Sequence, residues 1–196
     1  KVITGWNGMI IQALARAGRV LKNDGYIQEA QKTAKFCLAK LKTKKGTVHR
    51  YWKDGKSIGE GSLNDYAWLI AGLLELNQTD GNPEWYQEAL ALQKKQNAMF
   101  WDKKNGGDYT DNGQDSYLVS RTKSYTDGAI MAGNSIAAQN LLIFSVLDPS
   151  AKSGKYLQEL LTSTGENVTK YPSQYTGLLQ TVDKQVQGTK VLVIAQ

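Results

Sequence analysis

Two kinds of helical pattern alternate along this chain. Over residues 6–21 the apolar positions are Met9, Ile10, Ile11, Ala13, Leu14, Ala15, Ala17, Val20 and Leu21, which cover almost the whole circumference of a helix. A helix of that kind must be enclosed by protein. After the break at Asn23-Asp24-Gly25, residues 26–41 read differently. Ile27, Ala30, Ala34, Cys37, Leu38 and Leu41 follow the i, i+3, i+4, i+7 spacing, while Gln28, Glu29, Gln31, Lys32 and Lys35 lie elsewhere. That spacing predicts an outer helix with one buried face. Residues 47–53 then predict a strand, and Asp54-Gly55 a tight hairpin turn.

The cycle repeats. Residues 62–76 are again apolar nearly all round, from Leu63 through Tyr66, Ala67, Trp68, Leu69, Ile70 and Ala71 to Leu76. Asn82-Pro83-Glu84 supplies a capping side chain, a proline at the first helical position and an acid in the first turn. It opens an amphipathic helix to about Phe100, and Asp108-Tyr109-Thr110 suggests a short strand. A third all-apolar helix spans 134–147, followed by a shorter amphipathic one over 154–161. Residues 175–182 predict one more helix, and Val191-Leu192-Val193-Ile194 a short buried strand. Identities mark the same period: Tyr26-Ile27-Gln28-Glu29-Ala30, Trp85-Tyr86-Gln87-Glu88-Ala89 and Tyr156-Leu157-Gln158-Glu159-Leu160 each open an outer helix.

A repeat of this kind decides the fold. The expectation is a mainly all-α chain, one domain over 1–196, whose helical hairpins form part of an (α/α)6 toroid with short β-hairpins in the loops. Enclosed helices line the centre and amphipathic ones form the rim. The competing layout is a helical solenoid, whose concave helices are usually more polar than these. Six hairpins close a ring, and three with a partial fourth are here. The apolar flanks at the cut edges therefore call for a cover, either a missing N-terminal half or a second copy.

Composition narrows this picture only a little. The 196 residues are 41% hydrophobic and 21% charged, ordinary for a globular chain. No apolar run is long enough to span a bilayer, and no basic-then-apolar leader opens the chain, so a cytoplasmic location is the expectation. The single cysteine, Cys37, reads as a buried, inert thiol. His49 is the only histidine, which excludes a multi-histidine metal site and leaves no histidine pair for two-base epimerisation. The net charge is +6, with Lys40, Lys42, Lys44, Lys45, Arg50, Lys53 and Lys56 gathered near one hairpin. Lysines at helix ends and hairpin tips are usually solvated and suit the helix dipole, so nucleic acid is not the expected partner. An Asp108, Asp111, Asn112, Gly113, Asp115 run hints at a calcium loop. Aligned on Gly113, however, it puts Val119 where a bidentate glutamate is needed. No metal or cofactor is expected.

Candidate chemistry gathers at the starts of the enclosed helices, which share one end of a toroid. Trp6-Asn7, Asn64-Asp65-Tyr66 and Asn134-Ser135 bring aromatics beside amides, a hydroxyl and a carboxylate. A sugar site needs such a set: a flat apolar face and fixed polar partners. Trp6, Asn7, Tyr66, Asn134 and Ser135 are the candidate ligand contacts. Asp65 and Asp127 are the candidate carboxylate pair for glycoside hydrolysis, with Glu60 in reserve. The same residue types are also what helix N-caps look like, so a non-catalytic binding or scaffold domain is the alternative.

At these residues the chain resembles a known family. Lys1-Val2-Ile3-Thr4-Gly5-Trp6-Asn7-Gly8, Leu63-Asn64-Asp65-Tyr66-Ala67 and Asp127-Gly128-Ala129-Ile130-Met131-Ala132-Gly133-Asn134-Ser135 are similar to three ordered motifs of the YyaL or spermatogenesis-associated type. Asn82-Pro83-Glu84-Trp85 and Phe100-Trp101-Asp102 fit the segments between them. The resemblance implies the C-terminal half of a six-hairpin, glycosidase-like toroid, preceded in the whole protein by a thioredoxin-like domain. Relatives of that fold include glycosidases and sugar epimerases. This chain departs from the motifs with Gly5 for serine, Asn64 for aspartate and Met131-Ala132 for proline-serine. Losing the first acid of an Asp-Asp pair weakens any mechanism that needs both.

Overall fold

The computed structural model describes residues 1–114, 119–149 and 152–188. They form two compact units: Lys1–Trp101 with Tyr109–Thr122, and Asp102–Asp108 with the described chain from Lys123 onward.

The first unit opens with β1 (Val2–Ile3) and α1 (Thr4–Leu21); α2 (Asp24–Phe36) follows and widens into a π-helical turn at Cys37–Leu41. The wider turn keeps Ala30, Ala34, Cys37 and Leu41 all fully buried, so α2 is one-faced, as its spacing predicts. Burial pushes the Cys37 thiol up to about 12. β2 (His49–Lys53) and β3 (Lys56–Glu60) form the expected hairpin. Asp54 and Gly55 sit at φ 50° and 78°, the paired positive values a two-residue turn requires. β1 adds antiparallel to β2, with Val2 opposite Trp52; two residues are too few to leave an alternating signature in the sequence.

α3 (Leu63–Asp80) is the enclosed helix of this unit, and α4 (Pro83–Phe100) packs beside it. Nearly every α3 residue from Leu63 to Leu76 is buried. α1 crosses α3 with backbones in contact. A Cβ on Gly8 would lie 2.4 Å from the Trp68 carbonyl, and one on Gly72 would lie 2.7 Å from the Gly8 oxygen. Only glycine allows that approach. Deep in the α3 apolar run, Glu75 accepts from Arg16 Nη2 at 2.6 Å and Arg19 Nη2 at 2.7 Å. Burial alone would raise the Glu75 carboxyl, but hydrogen bonds and charge from the two arginines outweigh it and hold it below its ordinary value.

α1 differs from expectation. One face is buried, through Thr4, Gly5, Gly8, Ile11, Ala15 and Gly18. The large apolar residues on the other side are exposed, among them Ile10, Val20 and Leu21. The expected strand at 108–110 is a loop instead. Tyr109 donates to Phe100 O and Thr110 to Thr122 O, both at 2.8 Å, but these are isolated bonds without a continuing ladder.

In the second unit, α5 (Gly133–Leu147) is the enclosed helix, followed by α6 (Ser153–Lys170), a 3-10 turn at Pro172–Gln174 and α7 (Thr176–Gln187). α6 runs well past the predicted end at 161. Its next core position after Leu157 and Leu160 is Thr164, which is buried with its hydroxyl donating to Leu161 O at 3.0 Å. A threonine that satisfies itself on the preceding turn stands where the apolar pattern stops. The predicted strand at 191–194 lies outside the described residues. No helix among the described residues is long and apolar enough to cross a membrane.

Candidate functional site

The site begins with an uncapped helix. α1 starts after Ile3 with no side-chain cap of its own, although its first N–H groups need acceptors. Asp65, three residues into α3 from the cap position Ser62, supplies one. Asp65 Oδ1 accepts from Gly5 N at 3.0 Å, while Oδ2 accepts from Ser62 N at 2.9 Å and Ser62 Oγ at 3.0 Å. Arg50, on β2, brings Nη1 to 2.8 Å from both oxygens. Asp65 is fully buried, whereas the Arg50 side chain is 43% exposed. One carboxylate thus ties two helix starts to a strand, and both helix dipoles favour its charge. A Cβ on Gly5 would sit 3.2 Å from Asp65 Oδ1 and Asn64 O, so glycine keeps the approach open. Thr4 Oγ1 donates to His49 O at 2.5 Å and Asn7 Nδ2 to Ile3 O at 2.7 Å, which fixes the same turn.

The second unit repeats the device with different local chemistry. Asp127, half-buried in the loop before α5, accepts at Oδ1 from Ala132 N at 2.9 Å and Ser135 Oγ at 2.8 Å. Oδ2 accepts from Gly177 N at 2.7 Å and Thr176 Oγ1 at 3.3 Å. Ala132 is the cap position of α5, as Ser62 is of α3. Gly177 is the second residue of α7, as Gly5 is of α1. Each acid therefore joins the cap N–H of one helix to a glycine N–H of another. Both receiving helices start with Thr-Gly: Thr4-Gly5 and Thr176-Gly177. That shared dipeptide is the signal that sequence reasoning missed, and it aligns α7 with α1. Arg50 was also missed, because a strand residue in a lysine-rich hairpin reads as a solvated charge.

The other predicted residues divide between frame and surface. Tyr66 is fully buried, accepts from Val48 N at 3.0 Å and packs edge-on to Phe100 at 5.3 Å. Burial raises its hydroxyl, and the Val48 bond offsets this in part. Asn134 is buried; its Oδ1 accepts from Asp108 N at 2.8 Å, and Nδ2 donates to Asp108 O at 2.8 Å and Ser124 O at 3.0 Å. It clips two loops to the start of α5. Ser135 is also buried, on Asp127. Trp6 is 60% exposed in the first turn of α1, and Asn7 beside it is half-buried. Glu60 accepts from Asn112 Nδ2 at an exposed loop. In the acidic loop, Asp111 accepts from Gly113 N at 2.8 Å, while Asp115 lies outside the described residues. In the basic hairpin region, Lys42 pairs with Glu88 and Lys40 lies over Trp52. A cleft of about 350 Å³ in the second unit is lined by Lys103, Lys104, Gln158, Glu159, Thr162 and Ser163 among others, none of which sequence reasoning selected.

No family model matches the chain. It is 29% identical over 204 residues to spermatogenesis-associated protein 20 of Rattus norvegicus, an alignment that takes in 99% of this chain and 26% of that protein. The Homo sapiens protein of the same name is likewise 29% identical over 204 residues, and an uncharacterized protein of Caenorhabditis elegans is 30% identical over 157 residues, 76% of this chain and 21% of that protein. The resemblance seen in the motifs thus extends along the whole chain, which spans about a quarter of the length of the curated relatives it matches. Among solved structures, the chain is similar to a GH76 α-mannanase of Bacteroides thetaiotaomicron, with a TM-score of 0.74 at 12% identity over 94% of this chain and 52% of that one. It is also similar to a cellobiose 2-epimerase of Spirochaeta thermophila, with a TM-score of 0.65 at 13% identity over 83% of this chain and 42% of that one. Both are (α/α)6 toroid enzymes, and the fold of this chain is of that glycosidase-like class.

Proposed function

We propose that this chain is a carbohydrate-binding part of a glycosidase-like toroid in which Asp65 and Asp127 hold helix starts together and perform no bond chemistry. The observation that carries this is the engagement of both carboxylates. Each accepts from a cap N–H of one helix, a glycine N–H of another and a side-chain hydroxyl. A glycosidase carboxyl must instead turn an oxygen to the ligand, as acid, base or nucleophile. The activities named for the two solved neighbours, on a mannan and on cellobiose, support a carbohydrate ligand by analogy of fold. Trp6 supports it by chemistry, since it offers an exposed flat apolar face beside the amide of Asn7. We infer further, from the motif resemblance, that the whole polypeptide is of the YyaL type, joins this toroid to a thioredoxin-like domain, and works in carbohydrate metabolism in the cytoplasm.

Calorimetric titration with manno- and gluco-oligosaccharides tests the reading. Binding is expected, weakened about tenfold by Trp6→Ala, the loss of about 1.4 kcal/mol, with no turnover of the bound sugar. Turnover that disappears in Asp65→Asn while the melting temperature holds would overturn it in favour of a hydrolase.

A further inference from the structure

α1 carries its apolar side chains the wrong way round for a surface helix. Toward α3 and α2 it turns Gly5, Gly8, Ile11, Ala15 and Gly18, the last of these against Asn23 and Ile27. Away from α3 it presents Ile10 at 52%, Val20 at 68% and Leu21 at 66% exposure. Ala13 is exposed between them, and Met9, Leu14 and Ala17 are half-buried. At 3.6 residues per turn these side chains fall in one arc of about 140°, which runs the helix below Trp6. Gln12, Arg16 and Arg19 lie outside the arc, and both arginines are drawn aside to Glu75. An ordinary surface helix has the reverse arrangement, polar outward and large apolar inward. A continuous apolar face of this kind, on the order of several hundred Å², marks an interaction surface.

We propose that this arc seats a helix from the part of the natural polypeptide that lies outside these 196 residues. Three observations favour that occupant. The chain spans 26% of a curated relative and 52% and 42% of two solved toroids, so about half of the shared fold is built by other residues. α3, with the same all-round apolar pattern, is buried on every side, and it shows what a helix of this type needs. The face is also the right size for one helix, since the arc from Met9 to Leu21 extends about 18 Å at the usual rise. The occupant is expected to be apolar on the side it turns to α1, because the arc offers it no charge to pair.

Thiol labelling of the complete natural polypeptide tests this. Cys37, the one cysteine of these 196 residues, is fully buried, and labelling is read by peptide mass at each introduced thiol, so that thiols elsewhere in the polypeptide do not contribute. Ala13→Cys and, as a second probe, Ile10→Cys report the arc; Lys32→Cys, whose native side chain is 78% exposed, is the reference. The expected result is maleimide labelling at positions 10 and 13 about 100-fold slower than at position 32, because it must wait for local opening. Labelling of all three at similar rates would overturn the proposal. Protection that vanishes on dilution to monomer would also overturn it, in favour of a second copy of the chain.

Discussion

Replacing Asp65 by asparagine separates a structural acid from a catalytic one. The substitution keeps the shape and turns one oxygen into an N–H donor. All the groups around it are donors: Gly5 N–H, Ser62 N–H, Ser62 O–H and Arg50. Whichever way the amide turns, its nitrogen meets Gly5 N–H or Ser62 N–H. A buried backbone donor left unsatisfied costs about 1–3 kcal/mol, and weakening the remaining charge-assisted bonds adds about 1–2 kcal/mol. The Arg50 pairing adds less than about 1 kcal/mol, because solvent screens a side chain that is 43% exposed. The sum is about 2–6 kcal/mol, which lowers the melting temperature by roughly 5–20 °C in a chain of this length. Melting followed by far-UV circular dichroism reads it directly. Neutralising a catalytic carboxylate commonly leaves stability unchanged or raised, so a melting temperature at or above that of the parent would refute the capping argument. Gly5→Ala gives an internal check: the two substitutions act on one contact and should combine less than additively.

Other outcomes follow from neighbouring geometry. Asp127→Asn should lose about 2–4 kcal/mol by the same reasoning, measured by urea unfolding; a change below about 0.5 kcal/mol, the range of ordinary surface substitutions, would count against it. Gly8→Ala places a methyl 2.4 Å from the Trp68 carbonyl and should cost about 3 kcal/mol or more, since neither backbone can yield; recovery of a normally stable protein would show that α1 stands further from α3. The lowered Glu75 carboxyl contributes stability that is present above its ordinary value of 4.5 and is lost as pH falls through its folded value. Glu75→Gln should therefore be less stable than the parent at neutral pH, with the gap closing under acid. A gap independent of pH would be the contrary result.

The fold was legible because its strongest signals are periodic. All-round apolar runs mark α3 and α5, one-faced runs mark α2 and α4, and Asn82-Pro83 and Asp54-Gly55 mark a helix start and a hairpin. What escaped has physical causes. The end of α6 is hidden by Thr164, a polar residue in a core position. β1 is two residues long. The outward face of α1 could not be told from its inward face, because pattern alone shows that a helix is apolar all round without showing which neighbours are present. At the site, Asp65 and Asp127 stand out by residue type, but their hydrogen-bond partners lie 60 and 50 residues away in sequence. Only the repeated Thr-Gly start offered a trace of that link.

That separation along the chain bears on how the protein folds. α1 has no cap of its own, so the Gly5 N–H finds its acceptor only once α3 has formed and returned to it. Loop closure over such a span must come before the bond rewards it. The capping of the first turn of α1 is therefore a late event, coupled to the start of α3. In hydrogen exchange, the amides of Gly5 and Ser62 should be released together, as one cooperative unit joined through a single carboxylate.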